Sequence, residues 1–174
     1  QDTMLGLFDK HVAEGFDDYY AKTAETLWEA AGRNGRYNYL FETLACLCDV
    51  LKNKSEAGIK IKNAYNRREV QELQRIVDET LPEIISDAEK FRDAVEKQWF
   101  KENKPFGFEI IDVRIAGVIQ RTKTAKTRLQ AYLDNQITRL EELEQERLFF
   151  DGHENKFDIC CYNWRRIFSP GVFP

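Results

Sequence analysis

Glycine and proline are scarce in this chain, 9 and 4 in 174 residues. A fold of many short strands needs such residues at its reversals, so their shortage argues for long helices. Histidine is scarcer still. His11 and His153 are the only two, both in predicted loops and neither at ExxH or HExxH spacing. The metal sites that helical bundles carry need that spacing, so no metal is expected. His11 or His153 as a base for Cys160 or a serine has no support in the spacing, and both are read as solvent-exposed. GxxxxGK[ST], GxGxxG and GxSxG are all missing, which removes the common phosphate cradles and the serine elbow, and with them any expected cofactor. An excess of basic charge is missing too: 26 Lys+Arg face 30 Asp+Glu, for a net charge of -4. Nucleic-acid backbones demand a clustered basic face. The densest basic run (Arg121, Lys123, Lys126, Arg128) spreads around a helix and reads as a solvated face.

No stretch approaches the roughly 20 apolar residues of a membrane span, and no signal peptide opens the chain. It begins with Gln1 rather than Met and reads as a piece of something longer. The four cysteines are Cys46, Cys48, Cys160 and Cys161. The 46/48 spacing is wrong for a CxxC motif, and adjacent cysteines rarely bridge each other. Reduced thiols are expected, with Cys46 and Cys48 as small apolar helix residues. Free thiols and the missing signal point to the cytoplasm.

What is present is an ordinary globular mixture, 43% hydrophobic and 32% charged. Residues 1–16 read as an irregular arm with apolar Leu5, Leu7 and Phe8. Asp17 or Asp18 is the expected cap of a first helix, whose stripe is Tyr20, Ala24, Leu27, Trp28 and Ala31 and which ends at Gly32 to Gly35. A second, from near Tyr37, carries Leu40, Leu44, Leu47, Cys48 and Leu51 and is expected to run on through Gly58 to Ala64. A third starts near Arg68 and holds one phase from Val70 to Trp99, with a bend rather than a break at Pro82. After a break at Asn103 to Gly107, Ile111, Ile115, Val118, Ala125, Leu129 and Leu133 mark a fourth helix. Ile137, Leu140, Leu143 and Leu148 mark a shorter fifth, with Glu141, Glu142, Glu144 and Glu146 on its wet side. The fold class is mostly α: an antiparallel bundle of about four to five helices over 17–152, with an extended aromatic C-terminal tail, 153–174, packing on it.

Glu109 and Asp112 lie three apart beside Arg114. An acid/base or sugar-binding pair is one reading. The plainer one is acidic charge at a helix N-terminus, with Arg114 as an ion-pair partner. Trp99, Phe106 and Phe108 could stack on a sugar ring, but corner packing explains them as well. Gly107 is the expected site of positive φ at the turn into the fourth helix.

The stretch Trp99-Phe-Lys-Glu-Asn103-Lys-Pro105-Phe106-Gly107-Phe108, followed by Asp112-x-Arg114-x-x-Gly117, then Arg128-Leu-x-x-Tyr132 and Leu140-Glu-Glu-Leu143, resembles one domain. It is similar to the C-terminal helical domain of a bacterial subgroup of glycoside hydrolase family 20, the β-N-acetylhexosaminidase type. Tyr39 to Leu44, Asp49-Val-Leu51 and Tyr162-Asn-Trp164 through Pro170 extend the likeness over nearly the whole chain. Ala116 and Gly171 depart from the family pattern, which has Gly and Asn there.

The resemblance implies a parent with a (β/α)₈ barrel upstream, to which residues 1–16 are the linker arm. Its chemistry would lie at the barrel's C-terminal face, where an adjacent Asp-Glu pair hydrolyses the substrate with the help of its own acetamido group. That pair lies outside this chain, so no residue here is assigned a catalytic, cofactor or metal role. Asp78-Glu79 has the right order but the wrong setting, inside a long helix. The expected role is that of a non-catalytic accessory domain. Trp99, Asn103, Pro105, Phe106, Gly107, Phe108, Asp112, Arg114 and Trp164 are its candidate structural or inter-domain residues. Partners would be the parent's barrel and a possible second copy, with no nucleic acid and no membrane. A free-standing helical adaptor and a carbohydrate-binding module using Trp99 and Trp164 are the other readings.

Overall fold

The computed structural model describes residues 2–6 and 8–147. Leu7, Leu148, His153, Cys160, Cys161, Trp164 and the predicted tail lie outside the described residues. Within them the chain is helical and contains no strand: α1 (Phe16–Arg33), α2 (Asn38–Lys54), α3 (Ala57–Arg67), α4 (Val70–Arg75), α5 (Leu81–Glu102), α6 (Phe108–Leu133) and the single turn α7 (Glu141–Glu144). None of the described helices is long and apolar enough to cross a membrane.

The predicted second helix is in fact two, broken at Ser55 and Glu56. Glu56 explains the break. Its carboxylate accepts the backbone N–H groups of Gly15 (2.9 Å) and Asp17 (3.3 Å), and so caps α1 from outside. Asp17, predicted to be that cap, instead accepts the Ser55 hydroxyl at 2.6 Å and pairs with Lys60. Three residues thus tie the start of α1 to the α2–α3 corner.

Pro82 behaves differently. Helical backbone runs from α4 into α5 without interruption, and the distortion is one π turn, Ile76–Thr80, just before the proline. The Leu81 N–H bonds back to Ile76, five residues away. That wider turn accommodates a residue with no N–H of its own and a ring that crowds the preceding carbonyls.

Helices α1, α2, α5 and α6 lie in file: α1 packs on α2, α2 on α5, α5 on α6. Neighbours are antiparallel. Between α2 and α5, Tyr39 meets Glu102, Glu42 pairs with Lys97 at 2.9 Å, and the Thr43 hydroxyl reaches the Ala94 carbonyl at 3.3 Å. Between α5 and α6, Arg92 pairs with Asp112 at 2.7 Å and Glu89 with Lys123 at 3.7 Å.

One side of this file is apolar, and at one end it is closed over. Ile84 of α5 and Ala125 and Leu129 of α6 join Ile61 of α3, Leu140 and Leu143 around α7, and Met4 of the arm in a single core. Each fully buried side chain of that size is worth about 1.5–3 kcal/mol. Met4, only 2% exposed, gives the N-terminal segment a core role that its irregular sequence does not announce. Three ion pairs hold the cover down: Asp2 to Arg121 (2.5 Å), Glu142 to Arg128 (2.5 Å) and Asp9 to Arg147 (3.0 Å).

The leucines of α2 are a correction. Leu40, Leu44, Leu47 and Leu51 share one side of the helix but are not its buried side. Tyr39, Ala45, Cys46, Cys48 and Val50 are buried, while Leu44 is 51% exposed. A central helix in a file has neighbours on two sides, so small residues serve the close contacts, while of the leucines between them Leu40 and Leu44 are exposed and Leu47 and Leu51 half-buried. On α1, Ala24 and Ala31 are likewise buried, whereas Trp28 stays exposed and donates its indole N–H to Asp49 at 2.9 Å. Cys46 and Cys48 are free, and burial pushes both thiols up from their ordinary pKa.

Gly58 is more than tolerated. A Cβ there would stand 3.0 Å from the Thr3 carbonyl oxygen, so the missing side chain lets the arm lie this close to α3. Gly58→Val is expected to cost about 1–3 kcal/mol in denaturant unfolding; an unchanged midpoint would mean that the arm does not hold the core. Acid supplies a second check. Arg128 holds the Glu142 carboxyl below its usual range. Burial raises Asp2, but Arg121 and the N–H groups of Met4 and Leu5 outweigh it and bring Asp2 low as well. A carboxylate depressed in the fold stabilises fully above its unfolded pKa, about 4, and loses that contribution as pH falls through the folded value. Glu142→Gln and Asp2→Asn should therefore lower Tm at pH 6, with the gap to wild type closing towards pH 3.

Candidate functional site

The candidate residues from Trp99 to Arg114 form the turn between α5 and α6, at the end of the file away from the closed core. Asn103 adopts extended backbone and donates its N–H to the Trp99 carbonyl at 2.7 Å, which ends α5. The Trp99 indole N–H donates to the Lys104 carbonyl at 2.9 Å and closes the loop from inside. Pro105 offers its carbonyl to the Phe108 N–H at 3.4 Å. Gly107 then takes φ +98°, as expected of it, and α6 begins. The Gly107 N–H finds the Glu109 carboxylate at 2.8 Å. The acid at the helix start thus satisfies one of the amides a first turn leaves open.

Behind the turn sits an aromatic and charged clasp. Phe108, 7% exposed, lies between Trp99 (6.1 Å between ring centres) and Phe100 (5.3 Å). The Arg92 guanidinium stands 5.6 Å from the Phe108 ring centre and bonds Asp112 at 2.7 Å and Glu96 at 2.9 Å. Asp112 raises the Arg92 pKa still further above its ordinary value. The partner of Asp112 is therefore Arg92, not the predicted Arg114, which is half-buried one turn into α6. Nothing in the sequence pairs residues 92 and 112; only the antiparallel register of α5 and α6 brings them together.

Glu109 and Asp112 are both engaged, one by a backbone amide and one by a guanidinium, and neither is set up to pass a proton. Among the described residues no group of three His, Cys, Asp or Glu side chains could hold a metal ion. Trp99 points its one donor into its own loop and packs at a tilt against Phe108, a poor arrangement for a sugar platform. Trp99, Asn103, Gly107, Phe108 and Asp112 build the turn.

Pro105 and Phe106 are displayed by it. Phe106 is 85% exposed, and Ile110 and Val113, four and seven residues on, are 52% and 38% exposed, with Phe100 at 51% beside Phe108. The sequence reading missed Ile110, Val113 and Phe100. A signal was there: the first turns of α6 carry the stripe Ile111, Ile115 and Val118 and also a second one, Ile110 and Val113, which Phe106 just ahead of the helix extends. A helix end apolar on two sides is built to be buried on two sides.

A family model described as the Glycoside Hydrolase 20C C-terminal domain matches residues 1–161, a span that includes the whole turn. No curated protein matches the chain.

The turn's geometry is directly testable. At Gly107 a Cβ would both force a side chain into positive φ and press to 3.3 Å from the Trp99 ring. Gly107→Val should destabilise the domain by about 1–3 kcal/mol in chemical unfolding and expose the Trp99 indole to acrylamide. Wild-type stability in this variant would contradict the clasp.

Proposed function

The chain belongs to the family of glycoside hydrolase 20C C-terminal domains, and from that premise we propose that it is a non-catalytic accessory domain packing on the catalytic barrel of its parent enzyme. The parent is a glycoside hydrolase of the β-N-acetylhexosaminidase type, which removes terminal β-linked N-acetylglucosamine or N-acetylgalactosamine by substrate-assisted retaining hydrolysis. Residues 1–16 are the arm from that barrel. The observation that carries this reading is the apolar stripe Phe106, Ile110 and Val113, left in water by a turn whose Trp99 indole and Asp112 carboxylate are bonded within the domain. A rigid turn that presents a bare phenylalanine is the anatomy of an inter-domain contact. The chemistry that the turn lacks is supplied by the barrel, and the turn contributes position.

The test compares Phe106→Asp in the 174-residue chain and in the parent enzyme. In the chain alone the substitution should change stability by no more than about 0.5 kcal/mol, because the side chain is already in water. In the parent it should split the thermal transition in two or lower it by several degrees. A parent that melts as wild type would place the contact elsewhere.

A further inference from the structure

The apolar side of the helix file does not end where its cover ends. On α5, Ile84 and Ala88 are buried, Ile84 in the core shared with Met4 and Ile61, and the same stripe continues one and two turns on to Phe91 and Val95, which are only half-buried. On α6 the stripe runs back from Leu129, Ala125 and Thr122, all at most 1% exposed, to half-buried Val118 and Ile115. Leu44 of α2 lies along the same side. Asp2, bonded to Arg121, marks the edge of the cover. Beyond it the half-buried Phe91, Val95, Ile115 and Val118, with exposed Leu44, line an apolar trough between α2, α5 and α6 that the arm and α3 do not reach among the described residues.

We propose that this trough is the seat of the chain's own C-terminal segment, residues 157–173. The chain is delivered to it. Arg147, the last described residue, is pinned to the cover by Asp9 (3.0 Å), the Met4 carbonyl (2.7 Å) and the Glu142 carbonyl (3.0 Å), so the described chain ends on the apolar side. The length suffices. Residues 148–157 can span about 33 Å when extended, while the trough runs from the level of Thr122 to that of Ile111, about 17 Å of helix. The composition fits as well: Phe157, Trp164, Ile167, Phe168 and Phe173 recur at short intervals, with no acidic residue after Asp158. An apolar trough favours such a segment by about 25 cal/mol for each Å² of apolar surface removed from water. The parent's barrel is a rival occupant. It is addressed by the α5–α6 turn, whose Phe106 stripe lies on a different side of α6 from Ile115 and Val118, so one domain can hold both contacts at once.

The test uses the full chain labelled with 5-fluorotryptophan. Its three tryptophans, Trp28, Trp99 and Trp164, give three fluorine resonances, and Trp164→Phe assigns the third. The Trp164 resonance is expected to show little H₂O/D₂O isotope shift. Leu44→Asn and Ile115→Asn should each restore that shift, Gln120→Ala on the outer side of α6 should not, and an unmoved Trp99 resonance reports that the turn is intact. Light scattering should give a monomer with Trp164 protected. A solvent-exposed Trp164 in the wild type overturns the proposal. So does a protected one that ignores both trough substitutions, or one protected only in a dimer. These outcomes are separate from the parent's melting behaviour, because Phe106 is untouched in every variant.

Discussion

A file of antiparallel helices has two faces, and when one of them is apolar it has to be covered. That constraint organises this domain. Four long helices are held edge to edge by small residues and cross-helix ion pairs, and their shared apolar side needs a second layer. Only part of that layer comes from the described residues: α3, the single turn α7 and the arm through Met4. They are clamped by carboxylates on arginines at Asp2, Asp9 and Glu142. Over that end the core side chains are buried to 2% exposure or less. Past Arg121 the same helix stripes continue with side chains only half withdrawn from water.

The opposite end of the file is stabilised by different means. Its turn depends on one indole hydrogen bond, one glycine in positive φ, one carboxylate on a backbone amide and one arginine clasped between a phenylalanine ring and an aspartate. These polar groups are spent on shape. What the shape offers outward is apolar, and the proposed contact with the rest of the parent enzyme rests on that surface.

Much of this was legible in the sequence, and the failures have physical causes. Scarce glycine and proline and the long periodic stripes identify the helices, and the turn at Asn103 to Gly107 is plain from its residues. The continuous phase through Pro82 rightly indicates one helical run, although periodicity does not reveal the π turn that makes room for the proline. The leucine stripe of α2 misled because periodicity finds an apolar side without saying whether a neighbour sits on it. The break at Ser55 was hidden because its cause, Glu56 capping a helix some forty residues away, is a tertiary contact. Arg92 escaped for the same reason. The sequence passes Gly58 by as one more position in a helix because its use, letting the arm lie close at Thr3, depends on residues more than fifty positions upstream.

The central claim is that the displayed surface of the turn exists to be covered by the parent enzyme. Hydroxyl-radical footprinting reads side-chain cover directly. Oxidation of Phe106, Ile110 and Phe100 should be rapid in the 174-residue chain and strongly suppressed in the full-length parent, while Leu73 and Leu129 of the core stay protected in both. Equal oxidation of Phe106 in the two proteins would contradict the account.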